Sequence, residues 1–269
     1  MTGLCVKPDR IKRERVKLRS GQVSIPPYAR DLERIAFVCG CGHGGTTLIA
    51  TILSRHPQIF LYLYETGAFL RGEEIAVRRL NRLHDAAIES GKRILIEKTP
   101  RHVRKMDMIR RMVPGARFIL LMRDGRDVTA SIAHRSGGDF RGGLRRWIVD
   151  ATFVLEERNQ PDVFLMRYEE VITDPQQQIR SLCAFLEISY SDELLKYDGH
   201  PRLWYGKTEL RHSNGVGPAH EDLRNWQVNQ PIFDGRGRWK DELPSAVADE
   251  FERGWLLELM QAFGYARRP

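Results

Sequence analysis

The residues with the clearest chemical potential form a glycine-rich loop between a short apolar run and a helical pattern. The loop reads Gly40-Cys41-Gly42-His43-Gly44-Gly45-Thr46-Thr47. Glycine tolerates positive φ and lets the backbone approach a ligand closely, so successive N–H groups can face one anion, with a helix N-terminus behind them. The sequence therefore predicts a phosphate site here. Its expected contacts are Gly42, His43, Gly44, Gly45, Thr46 and Thr47.

One position in this loop limits the class of phosphate ligand that the loop is expected to bind. The spacing matches the triphosphate-binding pattern G-x-x-x-x-G-K-[ST], except that Thr46 stands where the pattern has lysine. Because that lysine normally reaches the β- and γ-phosphates, its replacement argues against a nucleoside triphosphate. The hydroxyls of Thr46 and Thr47 can still donate hydrogen bonds to a phosphate that needs no metal ion.

A second anion site is predicted where another apolar run ends. Arg123 follows that run, Ser131 lies eight positions later on a helical pattern, and Arg135 lies one turn beyond Ser131. Guanidinium groups offer forked donors that match phosphate oxygens. Ligands of open α/β sheets bind at the carboxyl ends of the strands, so Arg123 should share an edge with the glycine loop. Two such sites imply a ligand with two separated phosphates.

The elements that must position these residues alternate along the chain. Four short apolar runs, over 35–39, 94–96, 118–122 and 163–166, have the character of strands buried on both faces. Helical patterns separate or follow them over roughly 46–55, 73–90, 100–113, 126–134, 144–159, 175–186 and 244–263. This alternation predicts an α/β fold: a P-loop-type parallel sheet with helices on both faces.

The chain is expected to form one domain over residues 34–269, preceded by a basic arm over 1–33. The arm has no sustained period, so we expect it to lie along the surface rather than bind nucleic acid. A segment over 199–243 is rich in Gly, Arg, His, Trp and Asn, also without period. Because it is too long for a simple connector, it is predicted to be a functional lid or binding loop for substrate or cofactor.

Composition and charge exclude several classes of protein. The 269 residues carry a formal net charge of +8 and are 42% hydrophobic, which excludes a wholly disordered chain. No apolar stretch approaches the about 18 residues of a membrane span, and the first residues lack the apolar core of a secretory signal. We therefore expect a cytoplasmic protein. Assembly into a homo-oligomer is compatible with the sequence. No histidine or cysteine shows metal-ligand spacing, so no metal is expected.

In combination, these motifs resemble the sulfotransferases that use 3′-phosphoadenosine 5′-phosphosulfate (PAPS). The similarity is to the branch that includes tyrosylprotein sulfotransferases and bacterial homologues, and it spans about residues 35–265. The motifs that carry it are His43 to Leu48, Glu97-Lys98-Thr99-Pro100, Arg123 to Val128, Arg167-Tyr168-Glu169-Glu170-Val171 and Gly237-Arg238-Trp239-Lys240.

The resemblance implies PAPS as co-substrate and adenosine 3′,5′-bisphosphate (PAP) as product, and it assigns roles to single residues. The glycine loop would bind the 5′-phosphosulfate, and Arg123 with Ser131 the 3′-phosphate. Lys98 would contact the bridging or 5′-phosphate oxygen and stabilise the leaving group. Glu65, after the pair His56-Pro57, is the expected base. Tyr168 is expected to position the nucleotide and Arg238 to close over it.

Position 43 departs from the family pattern. Relatives usually carry Arg-Ser where this chain has His43-Gly44, and that arginine helps to hold the phosphosulfate. An imidazole with an ordinary pKa near ~6.5 would hold an anion less firmly at high pH. The sequence thus predicts a weaker or pH-tuned loop.

Two other functions and several acceptors stay open at this stage. A P-loop kinase would need the lysine that Thr46 replaces. A non-catalytic nucleotide- or RNA-binding module suits the positive charge but lacks aromatic residues interleaved with basic ones. For a sulfotransferase, we expect a hydroxyl of a carbohydrate, glycolipid or small metabolite rather than a protein tyrosine, because the tyrosylprotein enzymes of animals are secretory.

Overall fold

The structure, a computed structural model, describes residues 32–196 and 200–266. The predicted arm over 1–33 lies outside these residues, apart from Leu32 and Glu33, and stays a prediction. The described chain contains a five-stranded sheet of order β2-β3-β1-β4-β5, in which all neighbouring strands are parallel. The strands are β1 (Arg34–Gly40), β2 (Ile59–Leu61), β3 (Ile94–Lys98), β4 (Arg117–Met122) and β5 (Val163–Arg167).

Both faces of the sheet are buried, as the continuous apolar runs predicted. Along β1, Phe37 and Cys39 belong to one hydrophobic core, while Ala36 and Val38 belong to the other. Because successive side chains of a strand point to opposite faces, this division requires a helical layer on each side. The predicted α/β fold is confirmed.

Eleven α-helices connect or cover these strands in the described residues. They are α1 (Thr46–Leu53), α2 (Glu73–Glu89), α3 (Met106–Met112), α4 (Gly125–Arg135), α5 (Phe140–Glu157), α6 (Tyr168–Thr173), α7 (Pro175–Phe185), α8 (His220–Val228), α9 (Trp239–Glu242), α10 (Ser245–Ala248) and α11 (Gly254–Ala262). Helices α2, α3, α5 and α11 contribute to one core, and α1, α7 and α8 to the other. None of these helices is long and apolar enough to cross a membrane.

The structure differs from the predicted elements at several places. The predicted helix over 244–263 is wrong as a single unit: it divides into α10, a 3₁₀ turn (Asp249–Glu252) and α11. Arg253 is extended (φ −145°, ψ 155°) and Gly254 has φ 57°, so the helical hydrogen-bond ladder stops there. The strand β2 and the helices α6, α8 and α9 were not predicted. The predicted helix over 100–113 divides into a 3₁₀ segment (Pro100–Lys105) and α3.

The strand order places a crevice at the centre of the sheet. From β1 the chain passes to β2 and β3 on one side, and it then crosses to β4 and β5 on the other. Ligands of open α/β sheets bind outside the carboxyl ends of the strands at such a switch point. The glycine loop follows β1, Lys98 ends β3, Arg123 follows β4 and Tyr168 follows β5. The fold therefore brings the predicted site residues to one edge.

Candidate active site

The glycine loop has a conformation that only glycine accepts at its two ends. Gly40 has φ 113°, and a Cβ there would overlap the carbonyl oxygen of Leu121. Gly45 has φ 96° and precedes α1, and a Cβ there would lie 3.1 Å from Cδ2 of Tyr168. Side chains are excluded at both positions by backbone strain and by close neighbours. These two glycines therefore let the loop pack directly against β4 and the ring of Tyr168.

A buried carboxylate holds the loop from below. Asp150 on α5 has a fully buried side chain and accepts the N–H of Gly42 at 3.3 Å. Its oxygens also accept hydrogen bonds from Arg104, at 2.9 and 2.7 Å, and from Arg146, at 2.6 Å. The two guanidinium groups compensate the buried charge, so Asp150 can act as a fixed anchor for the loop.

The start of α1 offers hydrogen-bond donors to an anion. No side chain caps Gly45, and the N–H groups of the first helical turn lack intrahelical partners. The hydroxyl of Thr46 is buried, and none of the described residues forms a hydrogen bond with it. A buried hydroxyl without a partner is costly, so the loop fits an anion that would accept these donors.

The second predicted anion site adjoins the first. The guanidinium of Arg123 donates to the carbonyl oxygen of Gly235, lies 3.5 Å from that of His43, and stacks over the ring of Tyr168 at 4.4 Å. Its Nε is buried, with no hydrogen-bond partner among the described residues. The Ser131 hydroxyl lies 2.8 Å from Nδ1 of His43, so the two predicted sites touch each other.

A single cleft contains most of the predicted cofactor contacts. Its volume is about 980 Å³, including space open to solvent, and Arg224 and His220 of α8 form part of its wall. The predicted residues that line it are His43, Gly45, Thr47, Arg123, Ser131, Tyr168 and Arg238.

Four of the predicted contacts do not line this cleft. The N–H groups of Gly42 and Gly44 are directed inward, to Asp150 and to the carbonyl oxygen of Cys41. Thr46 is buried beneath the loop, and Arg135 is exposed at the end of α4. These four residues shape the loop or its electrostatic field in the structure, and their direct contact with a ligand stays a prediction.

The predicted catalytic pair is assembled beside the cleft. Nζ of Lys98 donates to Oε1 of Glu65 at 2.7 Å, with the lysine side chain fully buried and the glutamate 38% exposed. The ammonium lies 4.2 Å from the ring centre of Trp204, and the Tyr205 hydroxyl donates to Glu65 at 3.3 Å. Neighbouring parallel strands explain this meeting, since Lys98 ends β3 and Glu65 follows β2.

Burial and pairing have opposing effects on the pKa of each member of this pair, and the net shift is downward for both. Burial lowers the pKa of Lys98 to about 8, although the carboxylate of Glu65 favours the ammonium. For Glu65, burial alone would raise the pKa, but the charge and hydrogen bond of Lys98 hold it below its usual value. At neutral pH, Glu65 is therefore ionised and Lys98 is protonated.

A buried network fixes the segment that carries Glu65. Oε1 of Glu97 accepts the N–H and hydroxyl of Thr66, at 3.2 and 2.7 Å, and the hydroxyl of Thr99 at 2.6 Å. His102 Nδ1 lies 2.8 Å from the other oxygen of Glu97, and both side chains are fully buried. Because Thr66 follows Glu65 directly, Glu97 ties the candidate base to β3.

Sequence reasoning missed two cleft residues on α8. His220, left without a role, stacks on His43 with ring centres 5.2 Å apart. Arg224 donates to the Thr47 hydroxyl at 3.0 Å and lies 2.7 Å from Nε2 of His220. The only signal for them was the aperiodic, basic and aromatic composition of 199–243, of which residue 199 lies outside the described chain.

The structure also changes the expectation for His43. Burial, followed by the charge of Arg224, lowers its pKa well below the usual value. The imidazole is therefore neutral throughout the physiological range in this structure. The predicted titration of His43 near neutral pH is not supported, because a nearby guanidinium and burial both disfavour the imidazolium.

Among the described residues, no group of three or more His, Cys, Asp or Glu side chains is arranged to hold a metal ion.

Two family models and several curated proteins are similar to this chain. The model described as "Sulfotransferase family" matches residues 72–192, and the one described as "Sulfotransferase domain" matches residues 141–264. Protein-tyrosine sulfotransferase A of Caenorhabditis elegans is 24% identical over 85% of this chain and 66% of its own length. The protein-tyrosine sulfotransferase of Drosophila melanogaster is 22% identical over 90% of this chain and 54% of its own length. The chain thus spans less than two thirds of the second relative.

Solved sulfotransferase structures share the fold. The sulfotransferase domain from the curacin biosynthetic pathway matches 88% of this chain and 99% of its own, with a TM-score of 0.56 and 17% identity. A mouse sulfotransferase complexed with PAP matches 91% of this chain and 94% of its own, with a TM-score of 0.53 and 16% identity. The family models, the aligned relatives and the shared fold agree with the motifs in the sequence. This chain belongs to the sulfotransferase family.

Proposed function

We propose that this protein transfers the sulfuryl group of PAPS to a hydroxyl acceptor. One observation carries the proposal: two anion-binding clusters, one at the glycine loop and one at Arg123, open into the same cleft beside the Glu65–Lys98 pair. A nucleotide with anionic groups at both ends suits this spacing of donors. The mouse sulfotransferase of the same fold is described as bound to PAP, which supports the choice of nucleotide.

The residues present fit such a nucleotide. Bound PAPS supplies an activated sulfuryl group, with PAP as its leaving group. Among the described residues, the buried Thr46 hydroxyl has no hydrogen-bond partner, and no side chain caps the N–H groups at the start of α1, so these donors are available to an anion. At the other end, Arg123 lies over Tyr168, and its Nε has no partner in the part of the chain that the structure describes, which suits a 3′-phosphate.

The candidate catalytic pair has the charges that the reaction requires. Glu65 is ionised and partly exposed, so it can accept the proton of an acceptor hydroxyl. Lys98 holds a positive charge in a site walled by Trp204, where water does not screen it. A fixed cation there can stabilise negative charge that develops on the leaving phosphate. Positioning and electrostatics, rather than covalent catalysis, are the protein's contribution.

Calorimetric titration tests the nucleotide part of this proposal. We expect PAP to bind one site per chain without Mg²⁺, and ATP with Mg²⁺ or an oligonucleotide to bind far more weakly. Arg123→Ala is the matched variant, since it removes one phosphate donor without touching Glu65 or Lys98. Stronger binding of ATP with Mg²⁺ than of PAP would favour the kinase alternative instead.

For the acceptor, we propose a tyrosine hydroxyl as the first candidate. The relatives that align over 85% to 90% of this chain are named protein-tyrosine sulfotransferases, in contrast to the carbohydrate, glycolipid or metabolite expected from the sequence. A carbohydrate hydroxyl is the second candidate. The exposed, stacked rings of Tyr62 and Tyr64 adjoin Glu65 and offer a face on which a sugar ring can pack.

Radiolabelled PAPS distinguishes the acceptors. The transfer assay would compare a tyrosine-containing peptide, the same peptide with phenylalanine, an oligosaccharide and a small phenol. Label on the tyrosine peptide alone supports the first candidate, and label on the oligosaccharide alone supports the second. A Tyr62→Ala, Tyr64→Ala variant would lower transfer to the oligosaccharide if the aromatic face binds it.

A further inference from the structure

One guanidinium in the cleft has only neutral hydrogen-bonding neighbours in the described part of the chain. Arg224 donates to the Thr47 hydroxyl at 3.0 Å and to the His220 imidazole at 2.7 Å. By contrast, Arg123 lies 3.6 Å from Asp127, and Arg238 pairs with Glu242. A partly buried charge that meets neutral groups alone is unfavourable unless a further partner completes the site.

The charge of Arg224 acts on the whole candidate active site. Burial and the charge of Arg224 lower the pKa of His43 well below its usual value. The same two causes lower the pKa of His220 to about 3. The charge of Arg224 also favours the ionised form of Glu65. The guanidinium lines the cleft, so an anion bound there would be close to its positive charge.

The loop residue at position 43 does not supply a cation. His43 is neutral, its Nδ1 is engaged by the Ser131 hydroxyl, and its ring is covered by His220. The glycine loop of this chain therefore has no positive side chain of its own at position 43, whereas Arg224 contacts Thr47, the last donor of the loop.

The position of Arg224 is fixed by the rest of its segment. Asn225 is almost fully buried, accepts the N–H of Trp204 at 2.6 Å and donates to its carbonyl oxygen at 3.1 Å. The indole of Trp204 donates to the Thr51 hydroxyl on α1 at 2.9 Å. Helix α8 is thus attached to the helix that begins at the glycine loop, and His220 orients the guanidinium from the same face.

We propose that Arg224 supplies the guanidinium for the 5′ anionic end of the nucleotide, with His220 as its positioning residue. The inference rests on the proposed function and names the residue that binds one end of its co-substrate. The cation comes from a helix about 180 residues further along the chain rather than from the loop itself. Forked N–H donors of arginine suit phosphate oxygens, and a hydrogen bond to a charged phosphate oxygen is stronger than the bond to the neutral Thr47 hydroxyl that it would replace.

Three adenosine phosphates separate this role from a general effect on the cleft. Calorimetry would compare PAP, adenosine 5′-phosphate and adenosine 3′-phosphate on wild type and on Arg224→Ala. We expect affinity for PAP and the 5′-phosphate to fall by about 10- to 100-fold, the loss of one or two charge-assisted hydrogen bonds. Affinity for the 3′-phosphate should change less than about threefold.

Matched variants keep this experiment interpretable. Arg123→Ala should give the reverse pattern, weakening PAP and the 3′-phosphate. Arg211→Ala removes the same charge from the exposed surface of the same segment and should leave all three affinities unchanged. Arg224→Gln keeps a donor for Thr47 without the charge, and it should reproduce the loss for the 5′-phosphate while the melting temperature stays at the wild-type value.

Exchange of the two positions is the strictest test. Placing arginine in the loop, in the double variant H43R/R224A, should recover PAP affinity to within about threefold of wild type. No recovery, unchanged PAP affinity in Arg224→Ala, or equal losses for the 3′- and 5′-phosphates would each overturn the inference. Those results leave the proposed function intact if wild type binds PAP, whereas failure of wild type to bind PAP contradicts the proposed function itself.

Discussion

At the scale of single residues, the site depends on a lysine whose ammonium group is buried. Lys98 is fully buried, and its ammonium is stabilised by Glu65 and by the ring of Trp204. Burial favours the neutral amine, while the carboxylate favours the ammonium, and the balance leaves a pKa of about 8. A modest change of pH therefore alters the charge in the cleft.

The pH dependence of kcat/KM for PAPS is expected to show an alkaline limb near pH 8. The protonated lysine is the form that stabilises the leaving phosphate, so activity should be full below this pKa and fall about tenfold per pH unit above it. Lys98→Arg should lower the rate but remove the limb, because arginine stays charged. An unchanged limb in that variant would show that another group titrates.

Glu65→Gln tests the base directly. The amide keeps the size of the side chain but cannot accept the acceptor's proton, so kcat should fall by about 10²- to 10⁴-fold. PAP affinity should stay within about threefold of wild type, as measured by calorimetry, since Glu65 lies outside the two anion clusters. Thr66→Ser serves as the control, because it retains the hydroxyl that binds Glu97. A comparable kcat for Glu65→Gln would exclude this residue as the base.

At the scale of elements, the glycine loop is positioned by the helix beneath it as well as by its own glycines. Asp150 on α5 accepts the N–H of Gly42 and two guanidinium groups from different parts of the chain. The packing of α5 against the sheet therefore determines where the loop lies. Changes on α5 should act on nucleotide binding without touching the ligand.

Asp150→Asn is expected to destabilise the protein and loosen the loop. The variant leaves Arg104 and Arg146 facing each other without the carboxylate, and both are about a quarter exposed, so water screens part of the cost. We expect the free energy of unfolding to fall by about 2 kcal/mol, measured by urea denaturation, with weaker PAP binding. Glu250→Gln, in an exposed pair with Arg141, should change stability by less than about 0.5 kcal/mol. Equal stability of the two variants would contradict the anchoring role.

Gly45→Ala tests the backbone at the start of α1. The φ of 96° and the Tyr168 ring, 3.1 Å from the added Cβ, should lower stability by about 1–2 kcal/mol and PAP affinity by tenfold or more. Gly115→Ala is a matched control, since Gly115 has φ 81° but no atom within 4 Å of an added Cβ. That control should show the backbone cost in thermal denaturation with normal PAP affinity. Normal PAP affinity in Gly45→Ala would remove this position from the site.

At the scale of the whole molecule, the cleft lies where the two halves of the sheet diverge. On one side, the glycine turn follows β1 and Lys98 is the last residue of β3. On the other side, Arg123 follows β4 and Tyr168 follows β5. A ligand bound there connects segments distant in sequence. Its binding free energy should therefore stabilise the domain as a unit.

Thermal unfolding should register this coupling. At a PAP concentration about 100 times its dissociation constant, the native state gains about 2.7 kcal/mol, which raises the melting temperature by several degrees in a domain of this size. The shift should not require Mg²⁺. Arg123→Ala should reduce it at the same PAP concentration. A shift that appears only with ATP and Mg²⁺ would contradict the proposed nucleotide.

The sequence by itself determined the α/β class, four of the five strands and the position of the two predicted anion sites at one edge of the sheet. These features depend on local patterns: apolar runs, a strand-to-helix turn rich in glycine, and an arginine at a strand end. Such patterns act over a few residues, so composition and spacing reveal them. The sequence did not predict the short strand β2, because three residues are too few to show a period. It also did not predict the helix break at Arg253 and Gly254, because an extended arginine has no local sequence pattern.

Only the tertiary structure decided which cations and carboxylates meet. Arg224 contacts Thr47 across 177 positions of sequence, Asp150 contacts Gly42 across 108, and His43 contacts Ser131 across 88. Hydrogen bonds and charge compensation depend on distances of about 3 Å between groups, and separation along the chain carries no information about them. The neutral state of His43 and the lowered pKa of Lys98 arise from the same cause, since burial and neighbouring charge exist only in the folded chain.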